Sequence, residues 1–207
     1  MKLTSLEVLH RRKSRICLAE GADPAFASFV LPTAEVRALD LREGQEIDEE
    51  KMGEIRAVLR RECLARCGML LKGQDYTEAR LMRKLLEAGF PEPVAREAME
   101  EMRQAGYLDD GRYAEAYVRT HKDRRSQQRL RSDLLERGVA PEHIEAAFAA
   151  AGTPEELAEE EMAQIRRHLE KKRIRPEELT WEERQKVMAA LYRRGFSAER
   201  IRAALGE

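Results

Sequence analysis

Three stretches of the chain repeat one pattern, and this repeat limits the folds that the sequence can adopt. In each stretch a leucine stands four residues before a glycine, and an apolar residue follows the glycine; the stretches are residues 85–90, 134–139 and 191–196. A glycine in this context is typical of a helix end, where it takes the left-handed backbone conformation. The three glycines, Gly89, Gly138 and Gly195, stand 49 and 57 residues apart. The spacing predicts a tandem array of α-helical units of about fifty residues each.

A second part of the repeat lies two helical turns further on. Nine residues after each glycine comes an alanine, followed by a larger apolar residue. This spacing places both residues on the buried face of the helix that follows the glycine. The pairs are Ala98-Met99, Ala147-Phe148 and Ala204-Leu205.

Helix-start and helix-end signals divide the chain further. We predict a mainly α-helical fold in which a small strand-containing segment, residues 1–47, precedes the repeats. Within that segment, the short apolar runs 15–18 and 26–30 flank a turn at Gly21-Ala22-Asp23-Pro24 and predict a β-hairpin. We assign three helices to each repeat, and the repeats to residues 48–106, 107–152 and 153–207.

Capping residues predict several helix boundaries. Asp48 is expected to cap a helix that runs to about Gly68. Thr153 and Thr180 each stand three residues before a glutamate, which is the spacing of a capping box. We expect the helix that follows Thr153 to run to Arg175, since a residue directly before a proline is disfavoured in a helix.

Charge is unevenly distributed along the chain. Residues 111–140 contain eight Lys or Arg against four Asp or Glu, whereas residues 141–183 contain six against twelve, although the net charge of the whole chain is −1. This asymmetry suggests a polyanion or a charged protein as the partner. Solvated helix faces remain an equal alternative, because 37% of all residues are charged.

Cysteine usage and hydropathy bear on the compartment. The three cysteines, Cys17, Cys63 and Cys67, are odd in number and form no framework, which suits a reducing environment. No apolar run is long enough to span a bilayer, and the first residues lack an apolar segment of signal-peptide length. We therefore expect a cytoplasmic protein.

The middle of the chain resembles the central signature of the bacterial regulatory protein RecX family. The matching segments are Gly106-Tyr107-Leu108-Asp109-Asp110, Arg112-Tyr113-Ala114 and Tyr117-Val118-Arg119. Residues 77–90 are similar to that family's first repeat, and residues 192–201 to its last. Two positions depart from the family pattern. Arg80 stands where an acidic residue is usual, and Gln127-Gln128 stands where a more basic, glycine-containing turn is usual.

The resemblance implies both a shape and a partner. Members of the family are elongated, curved arrays of three tandem three-helix repeats. They bind the filament that the RecA recombinase forms on DNA, and they mostly inhibit its ATP hydrolysis, strand exchange and co-protease activity in recombination, DNA repair and the SOS response. We accordingly expect a monomer whose partner is the RecA nucleoprotein filament, with direct contact to DNA left open. The signature residues expected to be mainly structural are Tyr107, Leu108, Asp109, Asp110, Arg112, Tyr113, Gly89, Gly138 and Gly195.

The sequence offers no catalytic residues, no metal site and no cofactor motif. A phosphate-binding loop, a dinucleotide glycine fingerprint and a zinc-protease motif are all missing. Cys63 and Cys67 are four residues apart on one predicted helix and fit buried thiols better than half of a zinc site. Asp109-Asp110 fits a helix start better than an acid/base or metal pair. Tyr107, Tyr113 and Tyr117 fit packing between repeats better than stacking on nucleobases.

A basic run is the best candidate for binding a partner or DNA. Its members lie in one short window with few carboxylates between them: Arg119, Lys122, Arg124, Arg125, Arg129 and Arg131. Arginine suits both phosphate and carboxylate oxygens. A solvated helix face is the alternative. A second basic cluster within residues 166–175 is flanked by glutamates and has a weaker claim.

Two functions outside filament regulation remain open at this point. A direct DNA-binding regulator of the helix-turn-helix kind is compatible with helix–Gly–helix junctions, but the near-neutral net charge counts against it. An enzyme is disfavoured, since the sequence indicates no site for one.

Overall fold

In the computed structural model of the chain, which describes residues 1–10, 12–19 and 23–206, ten α-helices follow a three-stranded sheet. The predicted mainly helical fold with an N-terminal strand-containing segment is confirmed. The chain divides into two compact units, Met1–Asp109 and Asp110–Glu207. The finer division into one segment and three repeats stays a prediction.

The sheet is antiparallel, with strand order β1-β2-β3. Its strands are β1 (Leu3–His10), β2 (Lys13–Leu18) and β3 (Ser28–Pro32). The predicted hairpin is confirmed as the β2–β3 pair, in which Ile16 stands opposite Phe29. Of its predicted turn, Gly21 and Ala22 lie outside the described residues. Phe26 belongs to a short 3₁₀ turn instead of a strand, because the Asp23 carboxylate accepts a hydrogen bond from the Ala25 N–H and so starts a helical turn.

Four helices complete the first unit: α1 (Thr33–Ala38), α2 (Glu49–Gly73), α3 (Glu78–Glu87) and α4 (Glu92–Gln104). The Asp48 carboxylate caps α2 by accepting the Lys51 N–H at 2.8 Å, as predicted. The predicted end of α2 near Gly68 is wrong. The residues after Gly68 are good helix formers, and Leu70 and Leu71 pack against the core, so the helix continues for another turn.

The core of the first unit joins the sheet to its helices. Ile16 and Phe29 of the sheet are at most 1% exposed, and they share one apolar cluster with Ile55 of α2 and Ala98 of α4. The main-chain carbonyl of Gly89 accepts the Val30 N–H at 3.0 Å, which ties the end of α3 to the edge of β3.

Six helices form the second unit: α5 (Asp110–His121), α6 (Gln127–Glu136), α7 (Pro141–Ala151), α8 (Pro154–Lys171), α9 (Trp181–Arg193) and α10 (Ala198–Leu205). Both predicted capping boxes are formed, by Thr153 with Glu156 and by Thr180 with Glu183. The predicted end of α8 at Arg175 is wrong. Arg173 takes a left-handed φ of +55° and ends the helix one turn earlier.

The repeat pattern predicted from the sequence is present in the backbone. The three glycines have φ values of +88° at Gly89, +80° at Gly138 and +86° at Gly195. The leucine four residues before each glycine is fully buried. Of the alanine and larger apolar residue that follow each glycine at the ninth and tenth positions, only Ala204 is partly exposed, and the other five residues are buried. Two apolar clusters lie in the described part of the second unit. One is built mainly from α5, α6 and α7 and includes Leu157 of α8, and the other is built mainly from α8, α9 and α10.

Candidate functional site

The basic run predicted from the sequence lies at the end of α5, in the connection to α6 and on α6 itself. At its centre is the buried carboxylate of Asp133 on α6, whose side chain is 5% exposed. Arg125 and Arg129 both form ion pairs with this carboxylate. The Tyr117 hydroxyl donates a hydrogen bond to it at 3.1 Å. Burial raises the pKa of the Tyr117 phenol. Arg125 and Arg129 therefore neutralise an acid within the fold.

Two further members of the run also have partners within the chain. Lys122 forms an ion pair of 2.6 Å with Glu160 on α8. Arg131 forms one of 2.9 Å with Glu145 on α7, and its guanidinium carbon lies 3.9 Å from the centre of the Phe148 ring. Both cations connect neighbouring helices of the second unit.

Arg119 and Arg124 differ from the other four residues of the run. Both are exposed, and neither forms an ion pair with a carboxylate in residues 1–10, 12–19 or 23–206. They line two different cavities. Arg119 lines one cavity together with Lys122 and Glu115, and Arg124 lines the other cavity. The structure therefore does not bring all six predicted residues to one cavity.

The cavity beside Arg124 gathers cations from three parts of the chain. Its volume is about 300 Å³. Arg124 comes from the α5–α6 connection, Arg167 and Lys171 from α8, and Arg194 from the end of α9. All four are exposed, and in the described part of the chain none forms an ion pair with a carboxylate. Among the described residues, Asp123 is the single acidic residue in the lining.

Hydrogen bonds fix the backbone around this cavity. The half-buried main-chain carbonyl of Lys122 accepts the Gln164 side-chain amide at 2.5 Å. The Arg194 carbonyl accepts the Ser126 hydroxyl at 2.9 Å. Arg167 itself donates to the Asp123 carbonyl at 3.4 Å. The three chain segments that carry the cations are therefore positioned by the fold.

His168 on α8 lies in the same cavity. Its Nδ1 is 2.8 Å from a guanidinium nitrogen of Arg194. Since a guanidinium can only donate, Nδ1 accepts this hydrogen bond and the imidazole is neutral. Burial, followed by the nearby Arg194, Lys172 and Lys171, lowers the pKa of His168.

Sequence reasoning missed the central members of this cavity. Arg194 and His168 were not among the predicted site residues. Arg167 and Lys171 belonged to the weaker basic cluster. The signal that finds them is tertiary, because the hydrogen bonds of Ser126 and Gln164 bring the three segments together.

The family-signature residues have mixed positions. Leu108 is buried, as a structural role requires, and Tyr113 stacks on Tyr117 with 6.2 Å between ring centres. Tyr117 is buried in the apolar cluster built mainly from α5, α6 and α7, so it packs among these three helices. The packing role expected for Tyr107 is wrong, since this side chain is 66% exposed. Asp110 is the first residue of α5, while Asp109 precedes it and Arg112 lies on the exposed side of the helix.

Cys63 and Cys67 are both fully buried in α2, which agrees with structural thiols. Their mutual hydrogen bond and burial raise the pKa of the Cys63 thiol. Among the residues that the structure describes, no group of three or more His, Cys, Asp or Glu side chains is arranged to hold a metal ion. In the same part of the chain, no helix is long and apolar enough to cross a membrane.

Comparison with family models and known sequences places these helices in a family. Residues 109–147 match the model of the second three-helix domain of RecX, and residues 159–205 match that of the third. The regulatory protein RecX of Trichlorobacter lovleyi is 34% identical over an alignment of 146 residues that covers 68% of this chain and 92% of that protein. The RecX of Yersinia enterocolitica is 32% identical over an alignment of 162 residues that covers 68% of this chain and 93% of that protein.

Two crystal structures have the same fold. The first is a crystal structure of regulatory protein RecX. The match covers the whole of this chain and 99% of that chain, with a TM-score of 0.61 and 24% sequence identity. The second is a crystal structure of RecX from Lactobacillus salivarius. The match covers 72% of this chain and 96% of that chain, with a TM-score of 0.61 and 18% sequence identity. From the sequence relatives and the two matched domains, the chain belongs to the RecX family of regulatory proteins.

Proposed function

We propose that this chain regulates the RecA recombinase by binding the RecA–DNA filament and that it mostly inhibits RecA's ATP hydrolysis, strand exchange and co-protease activity. Membership of the RecX family is the observation that carries the proposal. We take the chain to be a cytoplasmic monomer without catalytic activity, built from three helical repeats. The purified protein alone should hydrolyse no ATP.

Arg119 and Arg124 are the members of the basic run that we assign to the partner. Both are exposed, and no carboxylate of the described chain neutralises them. Arg125 and Arg129 have a different role, since reversing either charge would place a carboxylate beside the buried Asp133. Such a variant would lose stability together with binding, so it cannot test the contact.

The test compares the affinity of the chain for RecA-coated and bare single-stranded DNA at two salt concentrations. A filament regulator prefers the coated polymer, because contacts with RecA add to the electrostatic attraction. The double variant Arg119→Glu/Arg124→Glu should bind the coated polymer about tenfold more weakly. Arg166→Glu/Arg202→Glu is the matched control, since both residues are exposed and lie outside the two cavities.

Two outcomes would contradict the proposal. Equal affinity for bare and coated DNA would favour a direct DNA-binding regulator, because phosphates and bases would then supply all of the binding energy. If the test and control variants lose the same amount of affinity, Arg119 and Arg124 do not contact the partner specifically, and the basic run is a solvated helix face.

A further inference from the structure

The cavity lined by Arg124, Arg167, Lys171 and Arg194 holds positive charge that the fold leaves uncompensated. Several other cations of the second unit are paired: Lys122 with Glu160, Arg131 with Glu145, and Arg200 with Glu161. The four cavity cations come from three chain segments and face one concave space of about 300 Å³. Within the described residues, they have no carboxylate partner.

The arrangement is held in place before any ligand binds. Gln164, which is 7% exposed, fixes the carbonyl next to the segment that carries Arg124. The Ser126 hydroxyl fixes the carbonyl of Arg194. A ligand therefore has to order only the ends of the side chains, which lowers the entropic cost of binding.

The chemistry of the four cations selects the kind of anion. Three are guanidinium groups, whose parallel N–H donors match a pair of anionic oxygens. A carboxylate has two oxygens and satisfies one such fork. A phosphate group presents oxygens in several directions and can accept from forks that approach from different sides. We propose that this cavity binds a phosphate group of a nucleic-acid backbone.

The surroundings favour a backbone phosphate over a small enclosed ligand. The cavity is at the lower end of the size range of small-molecule sites, and the four cations around it are exposed to solvent. A strand can therefore pass across the cavity while one phosphate occupies it. The Asp123 side chain is exposed and can turn towards water. The inference rests on the part of the proposed function in which the chain contacts a DNA-containing polymer.

Two adjacent pairs of arginines allow a matched test. Arg167 and Arg194 line the cavity, whereas their chain neighbours Arg166 and Arg193 are also exposed but lie outside its lining. Arg167→Glu/Arg194→Glu and Arg166→Glu/Arg193→Glu therefore change the net charge by the same amount at adjacent positions of the chain. Circular dichroism of both variants checks that they are folded.

Binding is measured by the fluorescence anisotropy of a short labelled single-stranded oligodeoxynucleotide, without RecA, at several salt concentrations. The cavity variant should bind about tenfold more weakly than the control variant. Its plot of log affinity against log salt should be flatter by about 0.7 for each phosphate that the variant no longer neutralises. Inorganic polyphosphate should compete with the oligonucleotide better than polyglutamate of equal charge does.

Equal weakening in the two variants would overturn the inference, since only total charge would then matter. Stronger competition by polyglutamate would also overturn it and would assign the cavity to an acidic protein segment. Inhibition of RecA is measured separately on the same samples. A wild-type chain that binds bare DNA through the cavity but leaves RecA unaffected would contradict the proposed function and leave this inference standing.

Discussion

The side-chain carboxylate of Glu161, on α8, accepts a hydrogen bond of 2.7 Å from the main-chain N–H of Gln127, the first residue of α6. The same carboxylate forms an ion pair with Arg200 on α10 and is 2% exposed. One buried acid thus satisfies an N–H at a helix start and a cation from the last helix. It connects the two sets of helices in the second unit.

Glu161→Ala should lower the free energy of unfolding by about 2–3 kcal/mol, because it leaves a partly buried N–H and a partly buried guanidinium without their acceptor. Glu160→Ala is the control. Its ion pair with Lys122 is more exposed, so the decrease should stay below about 1 kcal/mol. Urea denaturation of the full chain, followed by circular dichroism, measures both. Similar decreases would show that Glu161 has no special connecting role.

Asp133→Ala tests whether the basic run is mainly structural. The substitution removes the acceptor of Arg125, Arg129 and the Tyr117 hydroxyl, and it should cost about 3 kcal/mol of unfolding free energy. Glu145→Ala removes the partner of Arg131 at a side chain that is 63% exposed, so it should cost less than about 1 kcal/mol. If thermal and urea unfolding show the same loss of stability for Asp133→Ala and Glu145→Ala, Asp133 has no special role in holding the basic run in place.

Gly195→Ala should destabilise the chain by more than its backbone conformation alone requires. At a φ of +86°, an added Cβ would lie 2.5 Å from the Ser126 hydroxyl oxygen, which itself binds the Arg194 carbonyl. We expect a destabilisation of about 2–4 kcal/mol from strain and displacement together. Gly106 has a φ of +75° with nothing within 4 Å of its Cβ position, so Gly106→Ala should cost about 1 kcal/mol. Equal melting temperatures for the two variants would argue against a close contact at Gly195.

The lowered pKa of His168 predicts a pH dependence of stability. Burial is the main cause, followed by Arg194, Lys172 and Lys171. The neutral imidazole is favoured in the fold, so its contribution is present above the unfolded-state pKa of about 6.5 and is lost as the pH falls through the lower folded-state value. The unfolding free energy of the wild type should therefore fall more steeply below pH 6.5 than that of His168→Gln. If the unfolding free energies of the wild type and His168→Gln fall in parallel as the pH decreases, His168 is not the cause of the pH dependence.

Local sequence signals predicted much of the fold. A glycine that ends a helix and a threonine three residues before a glutamate act through neighbouring backbone groups, so Gly195 and Thr153 were identified without tertiary information. The β1 strand and the continuation of α2 past Gly68 were missed. Both depend on contacts with the core, which override the preferences of single residues.

The site was harder to predict than the fold. Charge along the chain marked Arg129 and Arg131 as candidates for a binding surface. The i,i+4 spacing of Arg129 and Asp133 within α6 already indicates an ion pair, whereas Glu145 becomes the partner of Arg131 only when α6 and α7 pack together. The cavity unites Arg124 with Arg194, seventy residues further along the chain. Neither residue is distinctive in its own segment.

The most direct test of the proposed function is the rate at which RecA hydrolyses ATP on single-stranded DNA while this chain is titrated into the reaction. We predict that the rate falls with added wild-type chain and levels off, that Arg119→Glu/Arg124→Glu requires a higher concentration for the same effect, and that the chain alone hydrolyses no ATP. A RecA rate that stays unchanged up to saturating concentrations of the wild-type chain would contradict the proposed function.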